Sequence, residues 1–286
     1  MEIEFTLYGG KVKGKFLGPT EEKPNRHMYY VDGKRKTGVT TYCGIKDKSV
    51  GLVSWATEIY LNHLLETLST KGKVTEADII VGWTKHQEAK AKAAAVGDEV
   101  HKWVESYIKG EKTEMPEQTE AQIGVSSFLD WEAANKVKYI SSERVVYSKK
   151  HDYIGKMDIE AKVNGKLCLI DIKTSNGMYN EFNMQTAAYV MADQEESKRK
   201  YHGRWVIRLS KETEKEYVKR MELKNKNRVL RGKEPFAFPE YRVFEPKFLD
   251  DEKGNLARDF KGFLSAKGLF EFDKLTGFWA TNGKEE

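Results

Sequence analysis

Asp158, Asp171 and Lys173 are the residues whose types and spacing could do the most chemistry. They lie within Gly155–Ser175, where two apolar or alternating runs flank Asn164-Gly165. An Asn-Gly pair between such runs favours a type I′ turn, because both residues tolerate positive φ. A two-residue turn there pairs Val163 with Lys166 and, in the same register, Asp158 with Asp171. Opposed residues have Cβ atoms roughly 5 Å apart, and like charges so placed repel. Lys173 projects from the same face as Asp171, while Met157, Ile159, Cys168, Ile170 and Ile172 form an apolar face toward a core. Two carboxylates beside one lysine suit a divalent cation, Mg²⁺ or Mn²⁺, bound through hard oxygen ligands. The competing reading is a pair of solvated aspartates on an open sheet face.

Four further positions add to this set. His101 lies four residues after Gly97 on a helical pattern, sharing a face with Val104 and Ile108. Its imidazole is a ligand for Mn²⁺-type ions or, alternatively, a hydrogen-bonded core side chain. A mid-helix glycine costs roughly 1 kcal/mol relative to alanine, so Gly97 implies a close approach to the backbone where the histidine projects. Gln185 and Tyr189 stand one helical turn apart, an amide and a phenol able to contact phosphate or base, or simply to pack. Glu143 precedes an aliphatic strand and offers an acceptor to a ligand or to coordinated water, or is a solvated strand-end charge.

Holding these residues requires particular elements. Residues 1–42 read as β structure, including a hairpin closed at Asp32-Gly33 and the β-branched Thr37–Tyr42 stretch. A helix is predicted from Lys48 or Gly51 to Leu68 with Leu52, Trp55, Ile59 and Leu64 buried, followed by a short helix or loop over 76–82. Gln87–Ile108 reads as a helix buried through Val96, Val100, Trp103, Val104 and Tyr107. Further helices are predicted over 117–135, 179–192 and 255–269, with a fraying tail from Thr281. Strands are predicted at 142–148 and at 203–209, the latter paired with 217–220 or 241–244. Residues 222–234 are basic enough to read as an arm or insertion, or as a solvated helix face. The chain is therefore predicted to be one α/β domain over 1–286, with a β lead-in at 1–45 and the chemistry at 87–209.

Composition narrows the partners. The 286 residues carry 49 Lys and Arg against 44 Asp and Glu, a net charge of +5 that fits an acidic polymer better than a cationic partner. No apolar run approaches the roughly 18 residues of a membrane span, and Met1–Thr6 lacks a signal-peptide pattern, so the expected location is cytoplasmic. Cys43 and Cys168 are too few for a four-cysteine cluster, so no iron–sulfur cluster is expected.

Taken in order, the chain shows Gly97-x-x-x-His101, Glu143 before a strand, Gly155-x-x-Asp158, Asp171-x-Lys173-Thr174-Ser175 and Gln185-x-x-x-Tyr189. This series resembles the RecB-like branch of the PD-(D/E)xK nuclease superfamily. Val39-Thr40-Thr41 resembles the lead-in of its single-domain phage and mitochondrial members. The resemblance implies a restriction-endonuclease-like core, a mixed central sheet with flanking helices in the order αβββαβ. It implies His101, Asp158, Asp171 and the Ile172 carbonyl as metal ligands, and Lys173 as the residue that positions the attacking water. It also implies substrate contacts from Gln185 and Tyr189, with Thr174, Ser175 and Glu143 as further substrate-contacting candidates. The chain departs from some relatives in lacking the cluster cysteines. It also lacks a helicase P-loop, so unwinding would need a helicase or recombination partner.

The expected function is metal-dependent hydrolysis of DNA, as an exonuclease on single-stranded or frayed ends in phage or bacterial replication or recombination. No sequence-reading module is evident, which disfavours a site-specific restriction enzyme. Residues 222–234 and the aromatics Tyr29, Tyr30 and Trp205 are candidates for guiding a strand. A structure-specific or nonspecific endonuclease using the same residues is one alternative, and a catalytically silent nucleic-acid-binding protein is another.

Overall fold

Two sheets and a set of long helices make up the computed structural model, which describes residues 2–23 and 26–277. The first sheet is an antiparallel meander of β1 (Glu2–Leu7), β2 (Val12–Leu17), β3 (Met28–Val31) and β4 (Lys34–Lys36). Its tight turn at Asp32-Gly33 has positive φ at both residues, 46° and 76°, as the sequence predicts. Val39-Thr-Thr-Tyr-Cys43 is not a strand but a short helix, α1, with Val39, Tyr42 and Cys43 buried. Packing against later helices overrides the β preference of Val and Thr here.

α2 (Ser49–Lys71) runs past the predicted end at Leu68 and stops on Gly72 in the left-handed conformation at φ 69°. Its predicted stripe is covered only in part: Trp55, Ile59 and Leu64 are half-buried, Leu52 is 55% exposed, and Thr67 is the one fully buried residue of α2. α3 (Glu76–Ile108) is a single 33-residue helix and absorbs the short segment expected before it. Thr75 and Asp78 form a reciprocal capping box at its start, a signal present in the sequence. α4 (Thr119–Ala133) buries Phe128 and Trp131 completely.

The second sheet has five strands in the order β5 (Val137–Ser148), β6 (Tyr153–Val163), β7 (Lys166–Lys173), β8 (Gly203–Leu209) and β9 (Phe244–Asp250). All neighbours are antiparallel except β7 and β8, which run parallel and are joined through α5 (Glu181–Ser197). α4 through β8 thus follows the order helix, three strands, helix, strand. β9, at one border, pairs with β8 through 244–250, so the partner predicted at 217–220 is wrong. The one predicted at 241–244 meets β9 only at its first residue, Phe244 opposite Leu209, and Pro246 sits opposite Ile207.

Each face of this sheet is covered. α3 and α4 pack on Ile159, Ala161, Cys168, Ile170, Ile172 and Ile207. On the other face α1, α5 and α7 (Asn255–Leu275) pack on Tyr153, Met157 and Leu169. Arg204 on β8 is fully buried and bonded to Asp251 and Asp259, each at 2.9 Å, and to the Asn183 carbonyl at 2.8 Å, tying α5 and α7 to the sheet. The small sheet meets the large one through Leu7, Val12, Val31, Tyr147 and Ile154.

The basic 222–234 stretch is the end of α6 (Glu214–Leu230) and its return turn, not an extended arm. Asn227 donates to Asn62 of α2 at 2.7 Å, while Lys224 and Arg228 lie over the Phe236 ring. Trp205 packs against Trp131 and Phe248 at the core, which removes it as a strand guide. Thr281 lies outside the described residues. No helix among the described residues is long and apolar enough to cross a membrane.

Candidate functional site

The hairpin forms in the register its turn dictates, but the expected rung between Asp158 and Asp171 does not form. Asn164 and Gly165 have φ of 51° and 82°, and Val163 pairs with Lys166 through to Ile159 with Ile170. The next rung would set Asp158 against Asp171, and there the ladder stops. Asp158 Oδ2 instead accepts the Ile172 N–H at 3.0 Å, so a side chain replaces a backbone partner as the strands part.

Strict alternation predicts Met157 on the Ile159 face, but Met157 belongs to the opposite cluster with Leu169 and Tyr189. The alternation of β6 breaks at Asp158. Beside it on β5, between the paired residues Ser142 and Arg144, Glu143 has φ 53°. A non-glycine residue in that region costs roughly 1–3 kcal/mol and persists where surrounding structure enforces it. The kink turns Glu143 toward Asp158. His101 from α3 completes the group: one ligand atom each from His101, Glu143 and Asp158 lie within 4.8 Å of one another.

Asp171, at the end of β7, is fully buried beside this trio. Neither of its oxygens has a well-directed hydrogen-bond donor among the described residues, and the Lys173 ammonium stands 2.7 Å from Oδ2. Burial pushes the Asp171 carboxyl up to about 6, with Asp158 adding to the rise and Lys173 opposing it. Burial also raises Asp158, and burial with the Asp158 charge raises Glu143 despite its ion pair with Lys156. Burial lowers His101, helped by Lys173, which favours the neutral imidazole that can ligate. Burial works against the Lys173 charge, yet Asp171 and Asp158 hold its pKa above the ordinary value, so it is an ammonium at neutral pH. Three carboxyl groups thus crowd around two ammoniums, a donor set of oxygens and one imidazole that fits a hard or borderline divalent cation.

A cleft of about 440 Å³ opens in front of this group, between α3, the end of β7 and α5. His101, Ile172, Lys173, Thr174, Ser175 and Gln185 line it, and Thr40 of α1 reaches its edge. The glycines explain the close fit. A Cβ on Gly97 would come within 2.9 Å of the Thr174 hydroxyl, the approach that its mid-helix position implies. A Cβ on Gly155 would meet the Tyr189 ring at 2.4 Å. Tyr189 is only 3% exposed and does not line the cleft, contrary to its expected substrate contact; its hydroxyl accepts from Gln185 at 3.0 Å and so orients that amide. Phe182 faces the Lys173 ammonium with its ring centre at 5.1 Å.

Every expected site residue either lines this cleft or borders the acidic group behind it, Tyr189 among the latter, since the Asp171 and Asp158 charges reach its hydroxyl. Glu143 stands with the prospective cation ligands rather than with substrate-contacting groups, and only its kinked backbone reveals that. Lys211, which also lines the cleft, escaped the sequence reading because no motif surrounds it. No protein-family model matches the chain, and no curated protein matches its sequence.

Proposed function

We propose that the protein is a divalent-metal-dependent nuclease of the restriction-endonuclease-like type that hydrolyses DNA phosphodiester bonds, acting by preference from strand ends. The observation that carries this reading is the convergence of His101, Glu143 and Asp158, with the buried Asp171–Lys173 pair behind an open cleft. Structural ion pairs do not ordinarily leave a fully buried carboxylate short of donors.

His101, Asp158 and Asp171 would hold the cation, with Glu143 beside them and the Ile172 carbonyl within the same cleft wall. When bound, the cation supplies Lewis-acid polarisation of a phosphoryl oxygen and acidifies water for attack. Lys173 keeps its proton under the carboxylates and donates it in hydrogen bonds, either orienting the attacking water or stabilising charge on the phosphate. Its charged state disfavours it as the general base. Gln185, held by Tyr189, presents its amide to the strand, and Thr174 and Ser175 line the wall beside the phosphate.

Purified protein incubated with end-labelled linear DNA and with covalently closed circular DNA tests the reading. Cleavage of the linear substrate in Mg²⁺ or Mn²⁺, abolished by a chelator, is expected. Cutting of the closed circle would assign an endonuclease instead, and no metal-dependent cleavage of either would refute the proposal.

A further inference from the structure

The cleft does not end at Ser175. Ala93, Ser175, Asn176 and Lys211 line it and also line a second cavity of about 630 Å³. The outer wall of that cavity comes from the turn after β8, from α6 and from the segment leading into β9.

Most of the charge in this wall is already paired. Arg208 meets Glu245 at 3.0 Å, Arg220 holds Glu212 through two hydrogen bonds of 2.9 and 2.5 Å, and Lys92 pairs with Glu120. Lys211 has neither an ion pair nor a side-chain hydrogen bond among the described residues, although it is half-buried at the junction of the two spaces. Burial works against its charge, and the nearby Glu212 and Glu120 offset this only in part. An ammonium so placed is stabilised by an incoming anion. Arg242 is exposed at the rim and, among the described residues, has no ion pair; of the acids in the lining, Glu240 alone likewise has none among them. Tyr217 and Tyr241 have ring centres 5.6 Å apart, and their hydroxyls are anchored on the Pro239 and Glu212 carbonyls at 2.7 Å each. Fixed rings beside a cation fit a planar base joined to a phosphate, and the volume suits one such unit.

We infer that this cavity is a nucleotide subsite, holding the nucleoside monophosphate unit next to the scissile bond with its phosphate on Lys211 and its base against Tyr217 and Tyr241. Its place along a strand rests on the nuclease reading, whereas nucleotide binding itself does not.

Calorimetric titration of thymidine monophosphate into the metal-free full chain tests it. Binding is expected for wild type and for Asp171→Asn. Lys211→Ala should bind about tenfold more weakly, as the loss of one charge-assisted hydrogen bond implies. Lys211→Arg should restore most of the affinity, which separates a lost charge from a damaged fold. Tyr241→Leu should weaken the nucleotide while leaving inorganic phosphate unchanged. On DNA, Lys211→Ala should raise KM with kcat kept. No binding by wild type, or equal binding by wild type and Lys211→Ala, overturns the subsite even if the protein cleaves DNA. Binding that depends on Lys211 in a protein that cleaves nothing sustains the subsite and removes the nuclease reading.

Discussion

Asp171 shows how a single residue reports on its intended company. Fully buried and short of donors, it keeps a proton up to about pH 6. Under the proposed reading protons compete with the cation for it, so cleavage is expected to fall as pH drops through about 6, which a pH–rate profile at fixed Mg²⁺ would show. The same shift has a stability consequence of defined sign. Between the ordinary value of 3.8 and about 6, the folded chain binds more protons here than the unfolded chain does. This group's contribution to metal-free stability is therefore lost as pH rises across that window. Melting curves of wild type and Asp171→Asn should diverge in the variant's favour from pH 4 to pH 6. For the chemistry, Asp171→Ala or Lys173→Ala should lower cleavage by about a thousandfold or more while circular dichroism stays unchanged. Unfolding of those variants would make the residues structural. His101→Ala should change the Mg²⁺/Mn²⁺ preference, and identical metal titrations would remove it from the ligand set. Asp158, Asp171 and Lys173 were legible because residue type and a turn signal sufficed. Glu143 was half legible, since its role depends on a positive φ that no local motif announces.

Among the elements, the hairpin was the most readable, because Asn164-Gly165 sets its register by backbone preference alone. α1 and the continuous α3 were less so. In α1, tertiary burial outweighs β propensity, and in α3 the capping box at Thr75 outweighs a weak apolar pattern. Gly155 links the hairpin to α5, because only a missing Cβ admits the Tyr189 ring. Gly155→Ala should destabilise the fold by about 1–3 kcal/mol through overpacking, measurable as a lower urea midpoint at constant slope. It should also misplace Gln185, whose partner is the displaced phenol. An unchanged midpoint would mean that the ring has other space to occupy.

At the scale of the whole molecule, Arg204 holds the layers together. Its guanidinium reaches Asp251 and Asp259, which precede and belong to α7, and the Asn183 carbonyl of α5. Arg204→Ala would leave the buried Asp251 without its cation and Asp259 with only the exposed Arg258. It should cost about 3–5 kcal/mol, seen by chemical denaturation, with residual activity lost only as the fold is lost. None of this was legible in sequence, since the arginine's partners lie 47 and 55 residues away.

The border of the five-stranded sheet at β9 bears on how copies of this chain behave when crowded. An outermost strand offers unsatisfied amides and carbonyls to any passing strand, the first step toward fibrillar assembly. Pro246, which has no amide hydrogen, interrupts that row between the charged Glu245 and Lys247. The same short run that closes the sheet therefore also discourages its growth by stacking onto a neighbour.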